Sequence, residues 1–141
     1  MPGWLKRILC PVDLDADSTD AWAVALDLAE QYKASVCLLY VVATPMAGPS
    51  EPRPDWQRAL NARFEKLARE WFEGRVPYQI LIWSGDPAAA ILRAAADVNA
   101  DLIVMATHGR KGIDRLILGS VAERVVRESP KPVLTVKPRR G

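Results

Sequence analysis

Residues 106–120 read ATHGRKGIDRLILGS, and here residue types and spacing could do chemistry. An apolar run, DLIVM (101–105), leads straight into a turn that holds the only histidine, His108, beside Gly109. Gly112 follows, and Gly119-Ser120 stands before the last amphipathic stretch. Glycines between a buried parallel strand and a helix start let backbone N–H groups approach an anion closely, and the helix dipole favours negative charge there. Ser120 precedes Glu123 at the spacing of a capping box, so the helix is expected to open at Ser120. The predicted chemistry is a phosphate cradle made of backbone donors.

Other constellations compete with this one. His108 as a general base would need a hydrogen-bonded partner and a substrate proton, and the motif offers no neighbouring nucleophile. A single histidine cannot build a His-rich metal site, so His108 is expected to orient its loop. Arg110, Lys111 and Arg115 can meet phosphates by charge or lie solvated outside the turn. Asp13-Leu14-Asp15-Ala16-Asp17 follows the first apolar run and resembles the D-x-D opening of haloacid-dehalogenase-type phosphotransferases. Those enzymes need further carboxylates on a later loop; Gly85-Asp86 is followed by Pro-Ala-Ala-Ala and supplies no second one. An EF-hand fails because Ser18 replaces the turn glycine and Val24 stands where a bidentate Glu is required. Asp17 or Ser18 is instead expected to cap the first helix. Neither a Walker A sequence nor G-x-G-x-x-G is present, which removes P-loop and dinucleotide-binding chemistry.

These residues need elements to position them. Five apolar runs read as strands: LKRILCPV (5–12), SVCLLYVV (35–42), PYQILIW (77–83), DLIVMA (101–106) and KPVLTVK (131–137). The second and fourth are apolar nearly throughout, as strands covered on both faces should be. Helical periodicity predicts helices over about 18–33, with Trp22, Leu26 and Ala29 on one face, and about 55–74, with Leu60, Phe64, Leu67 and Trp71. A third helix starts at Asp86-Pro87, an N-cap followed by proline. The segment TPMAGPSEPRP (44–54), with four prolines, is neither strand nor helix interior and is expected to be a loop. The alternation of strand and helix predicts a parallel five-stranded α/β sheet with helices on both faces and right-handed crossovers. Ligands in such sheets sit at the carboxyl ends of strands where the order reverses. The ends of strands one, two and four converge only if the order is 3-2-1-4-5.

Length and composition set the bounds. The 141 residues suit one domain spanning 1–141 with a substantial core. Net charge is +2, yet residues 106–141 carry nine Lys/Arg against three Asp/Glu, while residues 1–105 carry ten against fourteen. The basic end coincides with the glycine turns, which suits a phosphate ligand. There is no apolar run long enough to span a membrane and no secretory leader pattern. Cys10 and Cys37 lie inside predicted strands and are expected to be buried thiols, in keeping with a cytoplasmic protein. Trp22 and Trp71 fall at core spacing, which argues against a base-stacking platform and a nucleic-acid partner.

The sequence resembles the universal stress protein family in its nucleotide-binding branch. That family's motif, G-x2-G-x9-G-[ST], reads here as Ala106-Thr107-His108-Gly109, nine residues, then Gly119-Ser120, with alanine at the first glycine. PVD at 11–13 and KPVLTV at 131–136 match as well, so the resemblance covers essentially the whole chain. It implies a Rossmann-like fold of the adenine nucleotide alpha hydrolase type and a pocket for ATP or AMP. Asp13 would lie near the ribose, the phosphates and a Mg2+ ion. Val41 and Met105 would flank the adenine. Gly109, Gly112, Gly119, Ser120 and Val121 would line the phosphates, and Pro11, Val12, Ala106 and His108 would complete the lining. The resemblance implies a stress-response sensor or regulatory module without robust turnover. Slow Mg-dependent ATP hydrolysis, and a nucleotide-free interaction module of the same fold, are the alternatives. It also implies a homodimer through the fifth strand, Val133–Val136, whose apolar edge invites association, together with a protein partner that the sequence does not name.

Overall fold

A strand covered on both faces must be apolar where it is covered, and the central strands here are apolar beyond their first residues, Arg7 and Ser35. The computed structural model describes residues 3–12, 19–42, 55–107 and 119–137. The element order is β1 (Arg7–Val12), α1 (Thr19–Tyr32), β2 (Ser35–Val42), α2 (Asp55–Phe72), β3 (Tyr78–Ser84), α3 (Pro87–Asp97), β4 (Leu102–Ala106), α4 (Ser120–Glu128) and β5 (Val133–Val136). The five strands form one parallel sheet in the order β3-β2-β1-β4-β5, as the convergence of the motifs required.

Alternate side chains of each strand point to opposite faces. On one face Ile8, Cys10, Val36, Leu38 and Val104 pack with Trp22 of α1 and with Phe64 and Phe72 of α2. On the other, Leu9, Cys37, Leu39, Ile103 and Met105 pack with Ile91 and Ala94 of α3 and Val125 of α4. The helices therefore cover both faces. Trp22 is fully buried, with ring centroids 5.9 Å from Trp71, 6.0 Å from Phe72 and 6.3 Å from Phe64. Trp22 is core, and Trp71 is partly buried and packs against it.

The ends of the elements differ by a residue or two from the sequence expectation, each for a local reason. The first helix stops at Tyr32 because Lys33 takes a left-handed conformation (φ 58°) and the Ala34 N–H donates to Ala29 O at 2.9 Å. Asn99 ends α3 in the same way, with φ 60° and a 2.9 Å bond from Ala100 N–H to Ala95 O. Such closures satisfy the last carbonyls of a helix. The last strand is shorter than 131–137: Lys131 is held by Ser129 Oγ, which accepts its N–H at 3.0 Å.

Asp101, immediately before β4, fixes the register of the two central strands. Its Oδ2 accepts the N–H groups of Lys6 (2.9 Å) and Arg7 (3.0 Å), and its own N–H donates to Arg7 O at 2.8 Å. One side chain thus joins the starts of β1 and β4, the pair on which the site depends.

Cys10 and Cys37 are free thiols inside the sheet. Burial pushes the Cys10 thiol up to about 12, and burial, partly offset by a hydrogen bond with Gln79, pushes Cys37 up to about 11.

Candidate functional site

β1 feeds α1 and returns as β2 on one side; β4 feeds α4 and returns as β5 on the other. The connections part between β1 and β4, so a crevice opens at their carboxyl ends. Eight of the sequence-predicted residues fall at that edge or on the helix beside it. Pro11 and Val12 end β1, Val41 lies one residue from the end of β2, Met105 and Ala106 end β4, and Gly119, Ser120 and Val121 open α4. Asp13, His108, Gly109 and Gly112 lie outside the described residues, as do Asp17 and Ser18.

The two faces divide this set. Val41, Met105 and Val121 pack on the α3–α4 side, and alternation from Leu9 puts Pro11 there too. Val12 packs on the α1–α2 side, and alternation from Val104 puts Ala106 on that side. What Val12 and Ala106 can present to the α3–α4 side is backbone. Ala106 pairs with Val136 in the β4–β5 ladder, so its backbone is extended and alanine carries no strain in place of the family's first glycine.

The start of α4 is held by main-chain bonds. Thr107 N–H donates to Val136 O at 3.0 Å, and Gly119 N–H donates to Thr107 O at 2.9 Å. Residues 107 and 119 therefore meet, and α4 begins where β4 ends. The first helical bond runs from Glu123 N–H to Gly119 O at 2.8 Å. The N-cap is thus Gly119 and not Ser120, which is the first helical residue, and no side chain caps the helix. The capping-box spacing fits Ser120, yet the chain starts its helical bonds one residue earlier, at Gly119 O, and Glu123 pairs with Arg127 at 2.6 Å one turn on. Gly119 has φ −65° and ψ 161°, a backbone that any residue adopts. Its dihedrals therefore do not require glycine.

α3 opens at the same edge but is closed chemically. Asp86 caps it, Oδ2 accepting the Ala89 N–H at 3.0 Å, and Pro87 has no N–H to offer. The same oxygen accepts from Arg124 Nη1 at 3.0 Å, and Arg124 Nε also donates to Glu128 at 3.3 Å. Arg124 thus ties α4 to the cap of α3, a link that local sequence does not signal. Gly85, between β3 and Asp86, has φ +135° and donates its N–H to Val42 O at 3.0 Å. That conformation requires glycine. Of the two helix starts on the α3–α4 face, that of α3 is capped by a side chain and that of α4 has no side-chain cap among the described residues. Among the described residues no group of three His, Cys, Asp or Glu side chains could hold a metal. Nor is any described helix long and apolar enough to cross a membrane.

Comparison with known proteins agrees with this architecture. A universal stress protein from Methanocaldococcus jannaschii is 37% identical over 143 residues, covering 94% of this chain and 82% of that protein. One from Thermus aquaticus is 35% identical over 143 residues, covering 94% of this chain and 98% of that one. The solved structure of a universal stress protein in complex with cAMP superposes with a TM-score of 0.69 at 24% identity, over 96% of this chain and 98% of that one. The family model described as the universal stress protein family matches residues 5–137, and the chain belongs to that family.

Proposed function

We propose that this chain binds an adenine nucleotide, ATP or AMP, at the carboxyl edge of β1 and β4 and acts as a nucleotide-responsive sensor or regulatory module in a stress response. The observation that carries the reading is the uncapped start of α4. Gly119 brings no side chain to it, and the N–H groups of Ser120, Val121 and Ala122 precede the first helical bond. A phosphate is the ligand such donors and the helix dipole favour. The solved cAMP complex, in a relative of the same fold, adds support for an adenine nucleotide.

The remaining residues take roles from their places in the sheet. Val41 and Met105 lie on the same face with β1 between them, about 10 Å apart across the strands, a width suited to a planar base. Pro11 and Val12 offer the backbone beneath the ribose. Asp13 meets a Mg2+ ion that comes with the nucleotide phosphates, Gly109 and Gly112 line the phosphates, and His108 orients the loop. Turnover is not part of the proposal. We place the protein in the cytoplasm, where buried free thiols such as Cys10 and Cys37 persist.

We also propose a homodimer through β5. Val136 O accepts from β4, so alternation turns the N–H and C=O groups of Thr135 outward. Leu134 and Val126 add exposed apolar surface nearby, at 39% and 43% exposure.

The test is mass spectrometry of ligand released from purified protein, before and after incubation with ATP. Intact adenine nucleotide is expected. Diphosphate after incubation would favour slow hydrolysis, and no nucleotide in either sample would refute the binding role.

A further inference from the structure

The described start of α4 offers a phosphate main-chain donors, and one cation stands a single turn away. Ser120 and Arg124 are four residues apart on α4 and share a face of it. Helical side chains lean toward the N-terminus of their helix, so Arg124 has the N–H groups of Ser120 and Val121 within its sweep. Its guanidinium instead spans the gap between the two helices. Nη1 donates to Asp86 Oδ2 at 3.0 Å, at the cap of α3, and Nε donates to Glu128 at 3.3 Å.

The pair that holds Arg124 is built to be exchanged. Its two side chains are 40% and 59% exposed, and an ion pair so well solvated holds weakly. Asp86 does not depend on it, because the same Oδ2 accepts the Ala89 N–H at 3.0 Å and keeps α3 capped. Glu128 does not depend on it either, because Arg127 Nη2 lies 3.5 Å away. Arg127 itself is committed to Glu123 at 2.6 Å. Arg124 is thus the cation of α4 that can change partner while every carboxylate around it keeps another.

We infer that Arg124 is a side-chain ligand of the nucleotide phosphates, held in reserve by Asp86. When a phosphate settles on the start of α4, the guanidinium leaves Asp86 and donates to the phosphate oxygens. A phosphate carries more charge than a carboxylate and matches the planar guanidinium fork in two parallel bonds. Phosphate and Asp86 then compete for one cation, so each weakens the hold of the other. Occupation of the site releases the tie between α3 and α4, which gives the sensor a structural output. The inference rests on the nucleotide reading and adds to it a charged ligand and the anion that opposes binding.

Calorimetric titration of Mg-ATP into the unaltered chain, Arg124→Gln, Asp86→Ser and the double variant tests it. Serine still caps α3 but carries no charge. Arg124→Gln should weaken binding roughly tenfold. Asp86→Ser should tighten it roughly threefold, the fold-change an exposed ion pair supplies. With Gln at position 124, Asp86→Ser should change nothing. A mere strut between the helices predicts that either single substitution weakens binding. Simple repulsion between Asp86 and the phosphates predicts the same tightening whether or not Arg124 is present. Either of those results, or an unchanged affinity in Arg124→Gln, would overturn the inference and leave nucleotide binding standing. Absence of binding by the unaltered chain would overturn both. Melting curves without nucleotide check that the variants fold; if Asp86→Ser does not, Asp86→Asn keeps a cap without the charge and takes its place.

Discussion

Asp101 joins β1 to β4 at the edge of the sheet opposite the candidate site, so replacing it should cost stability and leave binding intact. The carboxylate accepts two backbone N–H groups through one oxygen, at 2.9 and 3.0 Å. Hydrogen bonds to a charged acceptor contribute about 1.5–3 kcal/mol each when shielded. Both bonds here are reached by solvent, and the donors can rehydrate, so a combined loss of about 1–2 kcal/mol is expected for Asp101→Ala. For a domain of this length that corresponds to a fall in Tm of roughly 3–8 °C. Asp101→Asn keeps an acceptor oxygen without the charge and should lose about half as much. The site lies a full strand away, about 16 Å along β4, so nucleotide affinity should be unchanged in both variants. Urea and thermal unfolding followed by circular dichroism measure the loss. A change below about 0.3 kcal/mol, within the range of an ordinary surface substitution, or equal losses for Ala and Asn, would refute the clamp.

Other residues give equally definite expectations. Lys33→Gly should stabilise the chain by about 1 kcal/mol in the same unfolding assay, because Lys33 ends α1 at φ 58°. Gly85→Ala should destabilise it by about 1–3 kcal/mol although open space surrounds the new Cβ, because φ is +135° there. The raised thiols predict a loss of stability at alkaline pH. Above pH about 9 the unfolded thiols ionise while Cys37 and Cys10 keep their protons up to about 11 and about 12, so unfolding becomes easier as pH rises through that window. Each thiol should contribute roughly 1 kcal/mol per pH unit there, and a Cys10→Ala/Cys37→Ala variant should show a shallower slope.

The strand order was legible because two short motifs had to meet. PVD after the first strand and the glycine turn after the fourth make one site only if those strands are neighbours, and β1 and β4 are. The buried strands were legible because SVCLLYVV and DLIVMA leave no polar face. Contacts between residues far apart in the chain left no local pattern. Asp101 with Lys6, and Arg124 with Asp86, are separations of 95 and 38 residues. The cap of α4 is not legible because Gly119-Ser120 fits two adjacent starts, and only the backbone bond from Glu123 N–H to Gly119 O distinguishes them. The end of the first helix is not legible because Lys33 keeps the helical spacing, and only its left-handed φ of 58° and the Ala34–Ala29 bond mark the stop.

The central claim is that the uncapped start of α4 receives a nucleotide phosphate, and calorimetric titration of Mg-ATP into the protein and into Gly119→Val tests it most directly. Gly119 has φ −65° and ψ 161°, dihedrals that valine adopts without strain, and the melting curve is expected to hold. Its side chain would occupy the space through which the phosphate reaches the N–H groups of Ser120 and Val121. The account predicts saturable binding by the unaltered chain, on the order of micromolar, or about −8 kcal/mol. Loss of two charge-assisted hydrogen bonds should weaken binding by roughly a hundredfold or more in the variant. No heat with the unaltered chain, or undiminished affinity in Gly119→Val, would contradict it.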